Sequence, residues 1–280
     1  MGMGADFYQA FAQSKEVFEE VDETLHFSLS KLIFEGPEED LNQTQYAQPA
    51  IMAVSMAIWR VFHPTCQFMA GHSLGEYSAL CAAQALSLEN TARLLQQRGL
   101  AFSSVQGKML ILLGLPIEKV REIAQQTNTF IANENSALQT TISGTEQNII
   151  KAEEVAHAAG AKHTMILSVS GPFHSPLMAP AQQKMIPVLK QTEMNTPCVP
   201  VVSNVTAQTM TEPEDIKEKL IEQIVQPVRW QACIQNLVEQ GVDQFIEVGA
   251  GRILTGLIKR IAPDAKTCFV NTVKDLDNLS

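Results

Sequence analysis

The chain has 280 residues, 45% of them hydrophobic and 18% charged, with a formal net charge of −10. That apolar content supports a sizeable α/β core near the upper size for one domain, and an acidic chain with no basic block argues against nucleic acid as a partner. No apolar run approaches membrane-spanning length, and five scattered cysteines (Cys66, Cys81, Cys198, Cys233, Cys268) with no C-x-x-C fit free thiols in a reducing cytoplasm better than disulfides or a metal site.

The opening run from Asp6 to Leu29 is amphipathic and helical, and Gly36-Pro37 breaks the stretch behind it. From Gln48 to Phe62 the sequence is apolar almost all round, the pattern of a helix buried in a larger core. Phe68-Met69-Ala70 reads as a short strand. After it come Gly71-His72-Ser73-Leu74-Gly75 and a helix from Glu76 to Ala85. Ser87 is placed to cap a further helix that carries Arg93 and Arg98 and ends near Gly99.

From Lys108 to Ser170 the pattern changes to strand, helix, strand, strand, helix, strand, in the segments MLILLGL, IEKVREIAQQ, TFIAN, TTISG, EQNIIKAEEVAHAAG and HTMILSVS. This is the split, ferredoxin-like order, so residues 107–170 are expected to form a small inserted subdomain. Residues 1–106 and 171–280 then make one discontinuous catalytic domain, an α/β-hydrolase-like core with a parallel sheet. Its second part reads as a helix from Pro180 to Gln191, a strand in VPVVSNV, and helices over Pro213–Val225 and Trp230–Gln240. The strand QFIEV and a helix from Ile253 to Ile261 follow.

Gly71-His72-Ser73-Leu74-Gly75 is a G-x-S-x-G pentapeptide between a strand and a helix. In that setting a serine sits exposed on a tight turn, glycines relieve Cβ clashes, and helix N–H groups point at the reacting centre. A structural turn is the plainer alternative. A nucleophile would need a base, and the histidines are His26, His63, His72, His157, His163 and His174. More than 100 residues follow the last of them, which argues against an α/β-hydrolase esterase, whose histidine lies near the C-terminus. His174, in Ser170-Gly171-Pro172-Phe173-His174-Ser175-Pro176, lies on a stiff loop after a strand and is the best base by position; an ordinary surface histidine is the alternative. Read alone, Arg98 is a solvated helix charge. Gly249-Ala250-Gly251 lacks the third glycine of a dinucleotide fingerprint, so tight strand-to-helix packing accounts for it better.

Taken together, GHSLGEYSAL, QQRG, SGPFHSPLM, QPVRW and EVGAGRILTGLIKR resemble the malonyl-CoA:acyl carrier protein transacylases, the acyltransferase family of fatty-acid and polyketide synthesis. The resemblance runs from Met1 to about Arg260. It implies transfer of a malonyl group from malonyl-CoA to the phosphopantetheine thiol of an acyl carrier protein through a malonyl-serine. Ser73 matches the nucleophile and His174 the base. Gln223 matches the residue whose backbone carbonyl orients the histidine, and the Leu74 N–H matches an oxyanion donor. Arg98 matches the carboxylate-binding arginine, Phe173 the ring that crowds an α-methyl branch, and Asn204 a further substrate-binding residue. Coenzyme A enters as a thioester substrate, with no bound cofactor or metal implied, and the expected state is a cytoplasmic monomer. Lys259-Arg260 is a candidate docking point for the acidic carrier. The family's opening strand and GQGSQ loop, which would give a second oxyanion donor, have no counterpart in this sequence. A serine hydrolase on the same fold and a catalytically impaired relative are the alternatives.

Overall fold

The computed structural model describes residues 1–169 and 171–277. Ser170, at the head of the histidine loop and the end of the expected subdomain, lies outside them, as do residues 278–280. Mixed α/β structure results, with helices dominating the first hundred residues and strands concentrated after them.

The amphipathic opening divides into the helices Ala5–Ala10 and Ala12–Leu25. The break falls at Phe11, whose φ of −132° and ψ of 124° are extended. Val17, Phe18, Val21 and Leu25 recur at helical spacing and are buried against the long helix Thr44–Phe62. That helix in turn packs on Leu88–Ser103 at a glycine. A Cβ on Gly99 would lie 2.6 Å from the Thr44 carbonyl oxygen and 2.7 Å from the Gln45 nitrogen. Gly99 therefore does not end its helix, as its sequence suggests; it sits inside it, where the absence of a side chain lets two backbones touch.

Residues 108–166 form a four-stranded antiparallel sheet. Its strands are β1 (Lys108–Leu113), β2 (Phe130–Ser136), β3 (Gln139–Gly144) and β4 (His163–Ile166), in spatial order β2-β3-β1-β4. Leu110, Leu112 and Ile142 point from the sheet to Val120, Ile123, Ile149 and Ala152 on helices Ile117–Thr127 and Glu146–Ala158, giving this unit its own apolar core.

The remainder pairs sparingly. β5 (Val201–Val202) and β6 (Thr209–Met210) are antiparallel, whereas β7 (Gln244–Val248) and β8 (Lys266–Val270) are parallel. The strand expected at Phe68-Met69-Ala70 is reduced to an isolated parallel bridge between Met69 and Val201. Two bonds hold it, Met69 N–H to the Pro200 carbonyl at 3.0 Å and Val202 N–H to the Met69 carbonyl at 2.9 Å. The segment VPVVSNV is strand only at its centre. Pro200 has no N–H for a ladder, and beyond Val202 the chain turns back toward Gln208. Among the described residues, no helix is long and apolar enough to cross a membrane.

Candidate active site

The G-x-S-x-G turn is built around a close backbone approach. A Cβ on Gly71 would run into the Gly75 carbonyl, and it would lie 2.6 Å from the Glu76 nitrogen. At Gly75, by contrast, nothing lies within 4 Å of the same position, so only the first glycine is sterically required. Ser73 has a φ of 56° and a ψ of −108° just before helix Leu74–Ala82. A non-glycine residue held there is strained by about 1–3 kcal/mol and needs bracing from outside. The brace is Asn204, which is fully buried. Its Oδ1 accepts from the Ser73 N–H at 2.7 Å, and its Nδ2 donates to the Gly71 carbonyl at 2.8 Å. Both ends of the Asn204 amide are committed to the turn. Asn204, expected to bind substrate, is thus placed against the serine turn as its brace.

His174, 3% exposed, also has a positive φ, of 57°. Its Nδ1 lies 2.8 Å from the Gln223 backbone oxygen, and its Nε2 lies 2.7 Å from Ser73 Oγ. A carbonyl can only accept, so Nδ1 carries the hydrogen and Nε2 presents a lone pair to the serine hydroxyl. Burial, and then the nearby Arg98 guanidinium, push the imidazole down to about 3, so it stays neutral at any ordinary pH.

Arg98 does not behave as a solvated helix charge. It is 1% exposed, with its guanidinium 4.2 Å from the Phe102 ring centre. Nη1 donates to Gln48 Oε1 at 2.7 Å, while Nη2 donates to Gln223 Oε1 and to Ser73 Oγ, both at 3.0 Å. Gln48 reaches it because Gly99 brings the two helices together. Every acceptor is neutral, Nε has no partner, and among the described residues the guanidinium forms no ion pair. A buried cation without a counter-ion is costly, so the site calls for an anion from outside. The Arg98 donor on Ser73 Oγ also occupies one lone pair and turns the hydroxyl hydrogen toward His174.

Phe173 is half-buried, its ring 4.9 Å from Phe102. Leu74 opens the helix behind the serine. His72 turns away from Ser73; its Nε2 donates to Asn135 Oδ1 at 2.9 Å, tying the turn to β2. His157 contacts Thr164 Oγ1 at 3.0 Å on the outer helix. Sequence reasoning did not single out Gln48, Phe102 or Glu76. Gln48 is the one amide leading an otherwise apolar run, and Glu76 is a lone acid in the helix LGEYSALCA, which was the available signal. Glu76 is fully buried, and Gln223 Nε2 donates to its Oε2 at 2.6 Å. Burial pushes this carboxyl up to about 7.

The second glycine-framed turn carries its own anion. Gly249 and Gly251 have φ values of 137° and 96°. The Glu247 carboxylate accepts from Leu254 N–H at 3.1 Å and Thr255 N–H at 2.7 Å at the start of helix Ile253–Ile261. Lys259 and Arg260 end that helix, and Arg260 Nη1 donates to Gln139 Oε1 of β3 at 2.5 Å. Among the described residues, no group of three or more His, Cys, Asp or Glu could hold a metal ion.

Residues 1–272 match the acyl transferase domain family. A malonyl CoA-acyl carrier protein transacylase from Bacillus subtilis is 42% identical over 99% of this chain and 91% of its own length. An acyl-carrier-protein-S-malonyltransferase from Bartonella henselae superposes with a TM-score of 0.96 at 41% identity, covering 100% of this chain and 94% of that one. A malonyl-transacylase solved in complex with its type II PKS acyl-carrier protein gives a TM-score of 0.95 at 38% identity, over 99% and 94% of the two chains.

Proposed function

The chain belongs to the acyl transferase family, and on that premise we propose that it moves a malonyl group from malonyl-CoA to the phosphopantetheine thiol of an acyl carrier protein in fatty-acid synthesis. One observation carries the choice of acyl group. Arg98 is a buried cation with only neutral acceptors, 3.0 Å from the serine oxygen. A malonyl ester on Ser73 would supply the missing counter-ion, and an acetyl ester would not.

Ser73 Oγ attacks the thioester carbonyl carbon while its proton passes to His174 Nε2. The Leu74 N–H, at the positive end of its helix, faces the oxygen that becomes negative. Collapse breaks the carbon–sulfur bond, and the departing coenzyme A thiolate takes the proton from His174. In the second half the carrier's thiol gives its proton to the same nitrogen and attacks the malonyl ester, and Ser73 leaves reprotonated. Gln223 holds the imidazole through its backbone oxygen, and Asn204 keeps the serine turn in place.

Phe173, its ring tilted against Phe102, crowds an α-methyl branch and favours malonyl over methylmalonyl; equal acylation by the two thioesters would count against this. Five free cysteines support a reducing, cytoplasmic setting. The strand order β2-β3-β1-β4 supports reading 107–170 as a ferredoxin-like unit set into an α/β-hydrolase-like domain of residues 1–106 and 171–280. Lys259 and Arg260 offer positive charge to an acidic carrier.

Intact mass after mixing with malonyl-CoA tests the reading. A malonyl adduct that is absent from Ser73→Ala and is discharged by acyl carrier protein is the expected result. Release of free malonate without transfer would replace the transferase with a hydrolase.

A further inference from the structure

Beneath the serine lies a carboxyl group that the acyl-transfer steps leave without a task. Glu76 Oε2 accepts from Gln223 Nε2 at 2.6 Å and from the Asn204 backbone N–H at 3.3 Å, while Oε1 is buried with no partner. We propose that Glu76 is a positioning residue for acyl-group selection: by accepting from Gln223 Nε2 it fixes that amide with its oxygen toward Arg98, and so keeps the guanidinium aimed at the acyl group on Ser73. This rests on the malonyl-transfer reading above.

The argument is one of hydrogen-bond polarity. Arg98 has only donors, and Glu76 Oε2 only accepts. Between them stands a side-chain amide with one end of each kind, its Oε1 3.0 Å from Arg98 Nη2. Reversing the amide would set NH2 against the guanidinium and oxygen against the carboxyl oxygen, two unfavourable contacts made together in a dry site. Gln223 is also the residue whose backbone oxygen holds His174 Nδ1, and its Nε2 donates to the Ser73 carbonyl at 3.1 Å. One residue therefore touches the serine turn, the base and the cation, the base through its backbone and the other two through its side chain, and Glu76 helps set which way that side chain faces.

A proton taken up by this carboxyl would sit on the unpartnered Oε1, because Oε2 is occupied by two donors. The charged and titratable neighbours are Arg98 on helix Leu88–Ser103, which favours the carboxylate, and Tyr77 and Cys233, buried groups on Glu76's own helix and on helix Trp230–Glu239. With Glu76 protonated, Arg98 is left with a full positive charge for an incoming carboxylate. With Glu76 ionised, the malonyl group enters against a like charge.

The test compares wild type, Glu76→Gln, Glu76→Leu and Arg98→Ala in steady-state acylation by malonyl-CoA and by acetyl-CoA. Glu76→Leu removes the shortest of the bonds that orient the Gln223 amide, leaving the longer one to the Ser73 carbonyl. It should raise KM for malonyl-CoA about tenfold and narrow the malonyl-over-acetyl preference in the direction of Arg98→Ala, with a smaller effect on kcat. Glu76→Gln keeps an acceptor oxygen for Gln223 Nε2 and should recover most of that loss, while removing any fall in malonyl kcat/KM as pH rises through 7. A folded Glu76→Leu with wild-type acyl preference overturns the proposal. Should Glu76→Leu not fold, the pH profile decides, because an unchanged fall above pH 7 in Glu76→Gln overturns it equally. Wild type forming no malonyl adduct at all would instead remove the acyl-transfer reading on which this one stands.

Discussion

Two glycine-framed turns in this chain each lead into a helix, and they are finished in opposite ways. After β7, glycines themselves adopt the positive φ values, at Gly249 and Gly251, and the helix start is filled by the Glu247 carboxylate from the preceding strand. After the Met69 bridge the positive φ falls on Ser73, a residue that is strained by it, and its side chain does not cap the helix it precedes. The first turn is complete in itself and relaxed. The second stores strain, held by Asn204, and leaves a serine hydroxyl between His174 and an arginine with no counter-ion among the described residues. The contrast separates a turn built for packing from a turn built for chemistry, although both look glycine-rich in sequence.

The strongest way to break that contrast is at the glycines of the serine turn. Gly71→Ala drives a Cβ into the Gly75 carbonyl and should lower unfolding stability by more than about 3 kcal/mol, because backbone cannot move aside as a side-chain tip can. Gly75→Ala meets nothing within 4 Å in a helical first turn and should change stability by less than about 1 kcal/mol. Urea melts of the two variants would show it. Equal losses would mean that the turn is not organised around the Gly71 approach.

A smaller effect comes from pH. His174 is held below its usual range, to about 3, so its contribution to stability is complete above about pH 6.5 and is lost as pH falls toward 3. Glu76 is raised to about 7, so its contribution is complete below about pH 4.5 and is lost as pH rises through 7. Between pH 4.5 and 6.5 the two slopes oppose each other, each at most about 1.4 kcal/mol per pH unit. Relative to wild type, Glu76→Gln should therefore become less stable at pH 5 than at pH 6.5, and His174→Gln the reverse. Thermal melts at the two pH values read the sign directly, and slopes of the same sign would contradict this account of the buried pair.

Much of this was legible in the sequence where a signal is local. The apolar run ending at Phe62, the cap at Ser87 (its Oγ accepting from the Asn90 N–H at 3.0 Å) and the alternating elements of residues 108–166 follow from periodicity and turn chemistry. What escaped depends on contacts far apart in the chain. Gly99 looks like a helix stop until the backbone of Gln45 is placed against it. Read locally Arg98 looks solvated, and only the family resemblance singles it out; its burial becomes visible once Gln48, 50 residues earlier, and Gln223, 125 residues later, close over it. Strand β8 escaped because Lys266–Val270 is a short run with no turn signal as clear as the glycines before it. Glu76 was in view within the motif, but a lone acid near a helix start reads as an ordinary dipole partner; only burial gives it another meaning.

The smallest predicted effect sharpens the comparison from the other side. Glu247 reaches from β7 to N–H groups in the first turn of helix Ile253–Ile261, whereas the Ser73 side chain does not cap the helix it precedes. Glu247→Gln keeps the shape and one acceptor oxygen but removes the charge and the second acceptor. The loss should be about 1 kcal/mol of unfolding stability, the usual scale for a helix cap weakened at the surface of a domain. Malonyl transfer should change little, because Glu247 touches none of the groups around Ser73. If Glu247→Gln slowed acylation of Ser73 while leaving the urea midpoint unmoved, the two turns would be coupled in the reaction, and the division between a packing turn and a chemical turn would fail.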